Sequence, residues 1–166
     1  MGRLVHVIAV ATLVLVEASI ARAQSMSLSE WPASTMPVDT SKRVSSILFG
    51  DDGNMWFTHM DRRIIGRFAP ATPSTITEFS KPGWTFPLWG PHALTNGPDR
   101  NIWFTRGGLL GRVKPDGSIT EFPLRVPNAG ATGLTAGSDR QPPALLGDRL
   151  WFTQSGTNSL AYLLFK

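Results

Sequence analysis

Short runs of alternating apolar and polar residues recur along this chain, and they recur in sets. Ile76-Thr77-Glu78-Phe79 and Ile119-Thr120-Glu121-Phe122-Pro123 share one order: aliphatic, hydroxyl, Glu, aromatic. Leu28-Ser29-Glu30-Trp31-Pro32 follows the same order near the start. Alternation with period two predicts short, half-buried strands. Further strands are expected at Val44 to Phe49, His92 to Thr95 and Thr132 to Thr135. Ile64-Ile65-Gly66-Arg67-Phe68 and Leu109-Leu110-Gly111-Arg112-Val113 make another matching pair. Gly, Pro, Asp and Asn fill the joints, as in Asp51-Asp52-Gly53-Asn54, Gly97-Pro98-Asp99-Arg100-Asn101 and a longer stretch from Gly137 to Arg149. These residues supply turn conformations. Pro115-Asp116-Gly117-Ser118 reads as a hairpin turn into Ile119.

One tripeptide marks the repeat. Trp56-Phe57-Thr58, Trp103-Phe104-Thr105 and Trp151-Phe152-Thr153 stand 47 and 48 residues apart. Each unit then holds about four short strands, the composition of a propeller blade. In Asn101-Ile102-Trp103-Phe104-Thr105-Arg106, Ile102 and Phe104 point one way and Trp103 the other. Apolar groups on both faces fit a sheet sandwiched between neighbours, so all three Trp-Phe pairs are expected in the core. The expected fold is all-β, a partial propeller of three four-stranded antiparallel blades over residues 44–166. No helical periodicity appears beyond the N-terminal region. Propellers close with four to eight blades. Three units therefore imply either a fragment or two copies pairing as a homodimer in a six-bladed ring.

The N-terminus has a different pattern. Arg3 precedes an apolar run from Leu4 to Val16, and Ala21-Arg22-Ala23 fits a small-x-small cleavage site. Residues 1–23 are expected to be a signal peptide, which places the mature protein outside the cytoplasm, periplasmic or extracellular, and off the membrane after cleavage. Residues 24–43 read as a Ser/Thr/Pro-rich loop and a first outer strand. Removing Arg3, Arg22 and Glu17 from the 16 basic and 12 acidic side chains leaves 14 and 11. The basic residues form no run, so a nucleic-acid partner is not expected. With no Cys in the chain, there is no disulfide framework and stability must come from packing.

Gly90-Pro91-His92-Ala93-Leu94-Thr95-Asn96-Gly97-Pro98-Asp99-Arg100-Asn101-Ile102-Trp103-Phe104-Thr105 resembles the repeat of the streptogramin lyase family, also called virginiamycin B lyase. The Ile-Thr-Glu-Phe-Pro and Leu-Gly-Arg-Val segments resemble it too. The resemblance covers nearly all of the chain beyond the signal peptide. It implies a seven-bladed fold and an Mg²⁺-dependent elimination that opens the ester of a cyclic depsipeptide antibiotic. It also implies a His acting as general base, with acidic side chains at the metal. Elimination needs a base to take a proton from carbon and an electrophile for the developing charge. Mg²⁺ takes oxygen ligands.

His92 stands at the family's Gly-Pro-His position. It is the candidate catalytic base, or else a residue that caps a turn. The family's Glu after Trp-Phe-Thr is replaced in every unit, by His59, Arg106 and Gln154. The His column reads Ser45, His92 and Thr132. No unit keeps both groups, which leaves the metal ligands unknown. His59 is either a borrowed ligand or a strand end facing solvent. Arg106 either binds an anionic or carbonyl group of a small-molecule or peptide-like ligand, or is solvated. Trp84, Phe86 and Trp89 either wall a channel mouth or fill the joint between blades. Glu30, Glu78 and Glu121 are expected as solvated outer-strand groups.

Overall fold

The computed structural model describes residues 28–30, 43–84, 89–127, 129–138 and 148–165. The chain divides into two compact units, Met1–Glu30 and Trp31–Lys166. The first unit contributes only residues 28–30 to the description. They are exposed and lack regular structure, so no strand is seen where the outer strand was expected to begin. The proposed signal peptide, Phe86 and the middle of the turn from Gly137 to Arg149 lie outside the described residues.

In the second unit the described residues form eleven strands and no helix. The strands are β1 (Val44–Phe49), β2 (Met55–His59), β3 (Ile64–Phe68), β4 (Thr77–Phe79), β5 (Leu94–Asn96), β6 (Ile102–Arg106), β7 (Leu109–Val113), β8 (Ile119–Pro123), β9 (Ala131–Ser138), β10 (Asp148–Gln154) and β11 (Ser159–Leu164). They pair antiparallel in chain order into β1-β2-β3-β4, β5-β6-β7-β8 and a three-stranded β9-β10-β11. The third blade thus has three strands among the described residues, one fewer than expected. β5 touches both β1 and β9, so the first strand of each sheet lies on the inner side of the fan.

The two faces of β6 show why this sequence makes blades. Ile102 and Phe104 join Trp56, Ile65, Trp84, Leu94 and Val113 in a core between the first and second sheets. Trp103 faces the other way, into a core with Leu110, Ala131, Leu150 and Phe152 between the second and third sheets. A strand that buries both parities must have a neighbour on each side. Trp56 is 0% and Trp103 2% exposed, but Trp151 is 38% exposed. The third Trp therefore departs from the expected core, because no sheet among the described residues covers its face.

In the first two blades each Trp is held by an Asp four residues before it. Trp56 Nε1 donates to Asp52 Oδ1 at 3.0 Å, and Trp103 Nε1 to Asp99 Oδ1 at 2.8 Å. Opposite each Trp in register stands an Arg, Arg67 or Arg112. The Arg67 guanidinium lies 5.2 Å from the Trp56 and Phe79 ring centres, and Arg112 lies 5.8 Å from Trp103 and Phe122. Partial burial alone would raise the Asp99 carboxyl. Hydrogen bonds from Trp103, Asn101 and Arg112 outweigh it and hold the carboxyl below the ordinary value of 3.8. Asp52 is lowered in the same way: bonds from Trp56 and Asn54, with the Arg67 charge, outweigh its burial.

Gly66 and Gly111 have a steric task. They stand opposite Phe57 and Phe104 in register, and a Cβ on either would run into the facing ring. The Gly in each Ile-Gly-Arg or Leu-Gly-Arg segment is therefore the floor on which the repeat's Phe lies.

Candidate functional site

The Thr of Trp-Phe-Thr builds the inner edge of the fan. In the first blade Val44 pairs with His59 and Ser46 with Thr58, so Ser45 and Ser46 together oppose Thr58. In the third blade Ala131 pairs with Gln154 and Leu134 with Phe152, leaving Thr132 and Gly133 opposite Thr153. In the second, Thr105 O accepts from His92 N at 2.8 Å while Thr105 N donates to Ala93 O at 3.1 Å. All three are bulges, two residues against one, which re-aim a side chain. The Thr hydroxyl serves each bulge by accepting the N–H of its second residue, Ser46, Ala93 or Gly133. Thr58 also donates to His92 O at 2.6 Å, and Thr105 to Thr132 O at 2.9 Å. These two hydroxyls therefore pin the bulge of their own blade to the bulge of the next, while the Thr153 hydroxyl stays within the third blade, on Thr132 and Gly133. His92 is the first bulge residue of the second blade, with its backbone bound on both sides.

Next to this edge lies a cavity of about 670 Å³. His92, Arg106, Trp89, Leu109, Leu124, Pro127 and Thr132 line it, with Met60 and Ser155 from the flanking blades and a set of glycines. Its space comes from a loop length. The β2–β3 and β10–β11 hairpins turn through four residues, 60–63 and 155–158, but β6–β7 turns through Gly107 and Gly108 alone. Gly107 has φ 56°, which Gly adopts without strain. Gly90 is constrained at the joint, since a Cβ there would meet the Met60 carbonyl.

Arg106 ends β6 and is 4% exposed. It is not the solvated strand end weighed from the sequence. Its Nη1 donates to Glu121 Oε1 at 3.1 Å, and its guanidinium lies 5.2 Å from the Trp84 ring centre. Trp84 Nε1 donates to the same Glu121 oxygen at 2.9 Å, and Lys81 Nζ reaches Glu121 Oε2 at 3.0 Å. Glu121 is therefore a partly buried hub, against the expectation of a solvated group. Glu78 comes closer to that expectation: it pairs with Arg62 through two bonds of 2.6 and 2.8 Å in an exposed setting. Exposed pairs contribute little, under about 1 kcal/mol, whereas removing one partner of a buried pair costs roughly 3–5 kcal/mol.

The structure brings His92, Arg106 and Trp89 together at the cavity. Trp84 does not join them. It is a core residue, edge-on to Phe104 at 5.6 Å, so of the two alternatives for the loop aromatics it takes the joint between blades. Trp89 lines the cavity and is 66% exposed. His59 is buried at the end of β2 and does not line the cavity, so it is not the solvent-facing strand end either. Sequence reasoning missed Glu121 and the bulge. The signal for the bulge was the recurrence of Thr, a hydroxyl at one place in every repeat.

The wall does not suit Mg²⁺. Among the described residues the lining has no carboxylate, and no group of three or more His, Cys, Asp or Glu is placed to hold a metal. The nearby Glu121 is already bound by three donors, and a guanidinium repels a cation.

Known proteins bear on the family. The chain matches the model of the virginiamycin B lyase family over residues 14–164. It is similar to the crystal structure of a virginiamycin B lyase from Staphylococcus aureus, with 28% identity and a TM-score of 0.58 over 79% of this chain and 44% of that one. A catalytically inactive histidine-to-alanine variant of that lyase, solved with quinupristin, gives 28% identity and 0.56 over 74% and 41%. A streptogramin B lyase structure gives 21% and 0.53 over 74% and 41%, a likeness of fold alone. The chain spans less than half the length of each. No curated protein matches it. The family match over nearly the whole chain, together with the blade architecture, places this chain in the virginiamycin B lyase family.

Proposed function

We propose that the cavity binds a cyclic depsipeptide of the streptogramin B type, or a close peptide-like relative, and does so without a metal ion. The observation that carries this reading is the make-up of the wall. Trp89, Leu109, Pro123, Leu124 and Pro127 give it an apolar surface, and His92 and Arg106 supply charge and hydrogen bonds. A mostly apolar concavity with a few fixed polar groups suits a small organic ligand. The ligand class is supported by the quinupristin bound to the Staphylococcus aureus relative.

The second reading is catalysis of ring opening, which His92 in the wall and the family match favour. His92 would take the proton from the carbon beside the ester-bearing carbon. That electron pair would form a carbon–carbon double bond, the carbon–oxygen bond would break, and a carboxylate would leave. The backbone of His92 is held on both sides by the Thr58 and Thr105 bonds, which sets where its side chain leaves the strand, and a general base must lie within reach of the proton it takes. Arg106 would be the cation nearest the developing negative charge.

Titration of the purified protein with quinupristin, followed by tryptophan fluorescence with Mg²⁺ or with a chelator, tests the first reading. Binding that ignores the chelator is the expected result. Chromatography and mass analysis of the same mixtures test the second. Elimination leaves the mass unchanged, whereas hydrolysis adds water, and His92→Ala should stop turnover while binding persists. No binding under either condition would refute both readings.

A further inference from the structure

We propose that two copies of this chain close on each other, the open face of the first blade in one packing on the open face of the third blade in the other. Such a contact repeats the joints that the chain already makes within itself, and register fixes which side chains belong to them. Ile47 stands where Leu94 and Leu134 stand, each opposite the Phe of its tripeptide. Leu94 is buried between the first and second sheets, and Leu134 packs between the second and third. Ile47 is 62% exposed, and Phe49 on the same face 58%. At the other end of the fan, Leu160 stands where Ile65 and Leu110 stand, each opposite the Thr. Ile65 is 0% and Leu110 2% exposed, but Leu160 is 75% exposed, with Trp151 and Tyr162 open beside it. Large apolar side chains gathered in water mark an interaction surface.

The Thr series says what fits that surface. Thr58 donates to the carbonyl of His92, the first bulge residue of the second blade, and Thr105 to the carbonyl of Thr132, the first of the third. Thr153 is next in the series, and its hydroxyl lies 2.9 Å from Thr132 Oγ1 of its own blade, in an exposed setting. Ser45 is the first bulge residue of the first blade, and among the described residues no Thr hydroxyl reaches its carbonyl. One end of the fan thus has a hydroxyl that meets no bulge carbonyl, and the other a bulge carbonyl that meets no hydroxyl. A second copy supplies both, with Thr153 of one facing Ser45 of the other. The two faces differ, so the contact is head-to-tail, and such contacts either close into a ring or run on as a filament. Two sets of three sheets make six blades, within the range in which propellers close. Closure covers both open faces of both copies at once.

Size-exclusion with light scattering on the full-length chain should give twice the chain mass, with a melting temperature that rises with concentration. Ile47→Lys and Leu160→Lys each put an unpaired charge into the joint and should weaken the dimer about a hundredfold or more. Both positions are exposed in a single copy, so circular dichroism should show the strands unchanged. Trp151→Ala, which takes little from the folding of one copy, should weaken the dimer about tenfold or more. Mixing the two lysine variants tests the head-to-tail pairing. A mixed pair has one joint with both lysines and one with neither, so the mixture should hold more dimer than either variant alone. A chain that stays monomeric at every concentration overturns the proposal and leaves the faces to a different chain. An assembly larger than two copies, or a dimer that either lysine leaves intact, overturns it as well. A mixture no more associated than its components overturns the head-to-tail contact.

Discussion

The second and third blades carry the same tripeptide in different surroundings. Trp103 and Trp151 occupy one place in the repeat, yet Trp103 is sealed and Trp151 is not. Around Trp103 the repeat is complete: Asp99 takes the indole N–H, Arg112 lies over the ring and Phe122 stacks on it at 5.2 Å. Opposite Trp151 stands Tyr162 where the other blades have Arg. Arg149 then comes from the same strand as Trp151 and lies 4.5 Å from the Tyr162 ring centre. A second change accompanies this one. Phe152 faces Ala161 where Phe57 and Phe104 face Gly. The repeat sets where a side chain points, but the next blade decides whether that side chain is core.

The largest expected contrast lies in that Trp column. Trp103→Ala should cost roughly 3–5 kcal/mol, because it empties the joint between two sheets. Trp151→Ala should cost about 1 kcal/mol or less, since much of its ring is already in water. Denaturant titration of both variants measures the difference, and equal losses would break the comparison. A smaller effect is expected at the floor of the Phe. Gly111→Ala pushes a methyl into the Phe104 ring and should cost about 1–3 kcal/mol as overpacking. Ala161→Gly, in the blade that already tolerates the methyl, should stay within about 1 kcal/mol, the strand cost of a glycine. Thermal melts of the pair would show whether the third blade has relaxed its packing as Ala161 implies.

The smallest effect concerns acid. The Asp52 and Asp99 carboxyls lie below their ordinary values in the folded protein. A depressed pKa gives stability that is fully present above the unfolded value, near 3.9, and is lost as pH falls through the folded value. Stability should therefore be flat with respect to these groups above about pH 5 and fall as pH drops from near 4. Asp99→Asn should flatten part of that decline and cost about 1 kcal/mol at neutral pH, the scale of one net hydrogen bond, since the amide oxygen can still accept from the Trp103 indole. If the acid limb is unchanged in Asp99→Asn, Asp99 does not govern it. The third blade has Gly147 four residues before its Trp and so contributes no such Asp to this limb.

The sequence by itself determined the blades. The strand positions from Val44 onward, the turns between them and the two-faced burial of β6 follow from alternation, Gly/Asp turns and the recurring Trp-Phe-Thr, because these are local properties repeated along the chain, whereas the same alternation from Leu28 gives no strand at residues 28–30. His92 was legible as the residue that stands at a special place in its unit. Three other features were decided only by tertiary structure. Glu121 looks like Glu78 in sequence, and only the approach of Lys81, Trp84 and Arg106 turns one of two equivalent glutamates into a buried hub. Trp84 and Trp89 are five residues apart in one loop, and the packing of the second sheet against the first sends one into the core and leaves the other on the cavity. The bulge at His92 depends on a hydroxyl reaching the backbone of the next blade, a contact between residues 34 apart. Charge pairing, loop packing and contacts between blades depend on which surfaces meet, and the alternation of side chains along a strand carries no record of that.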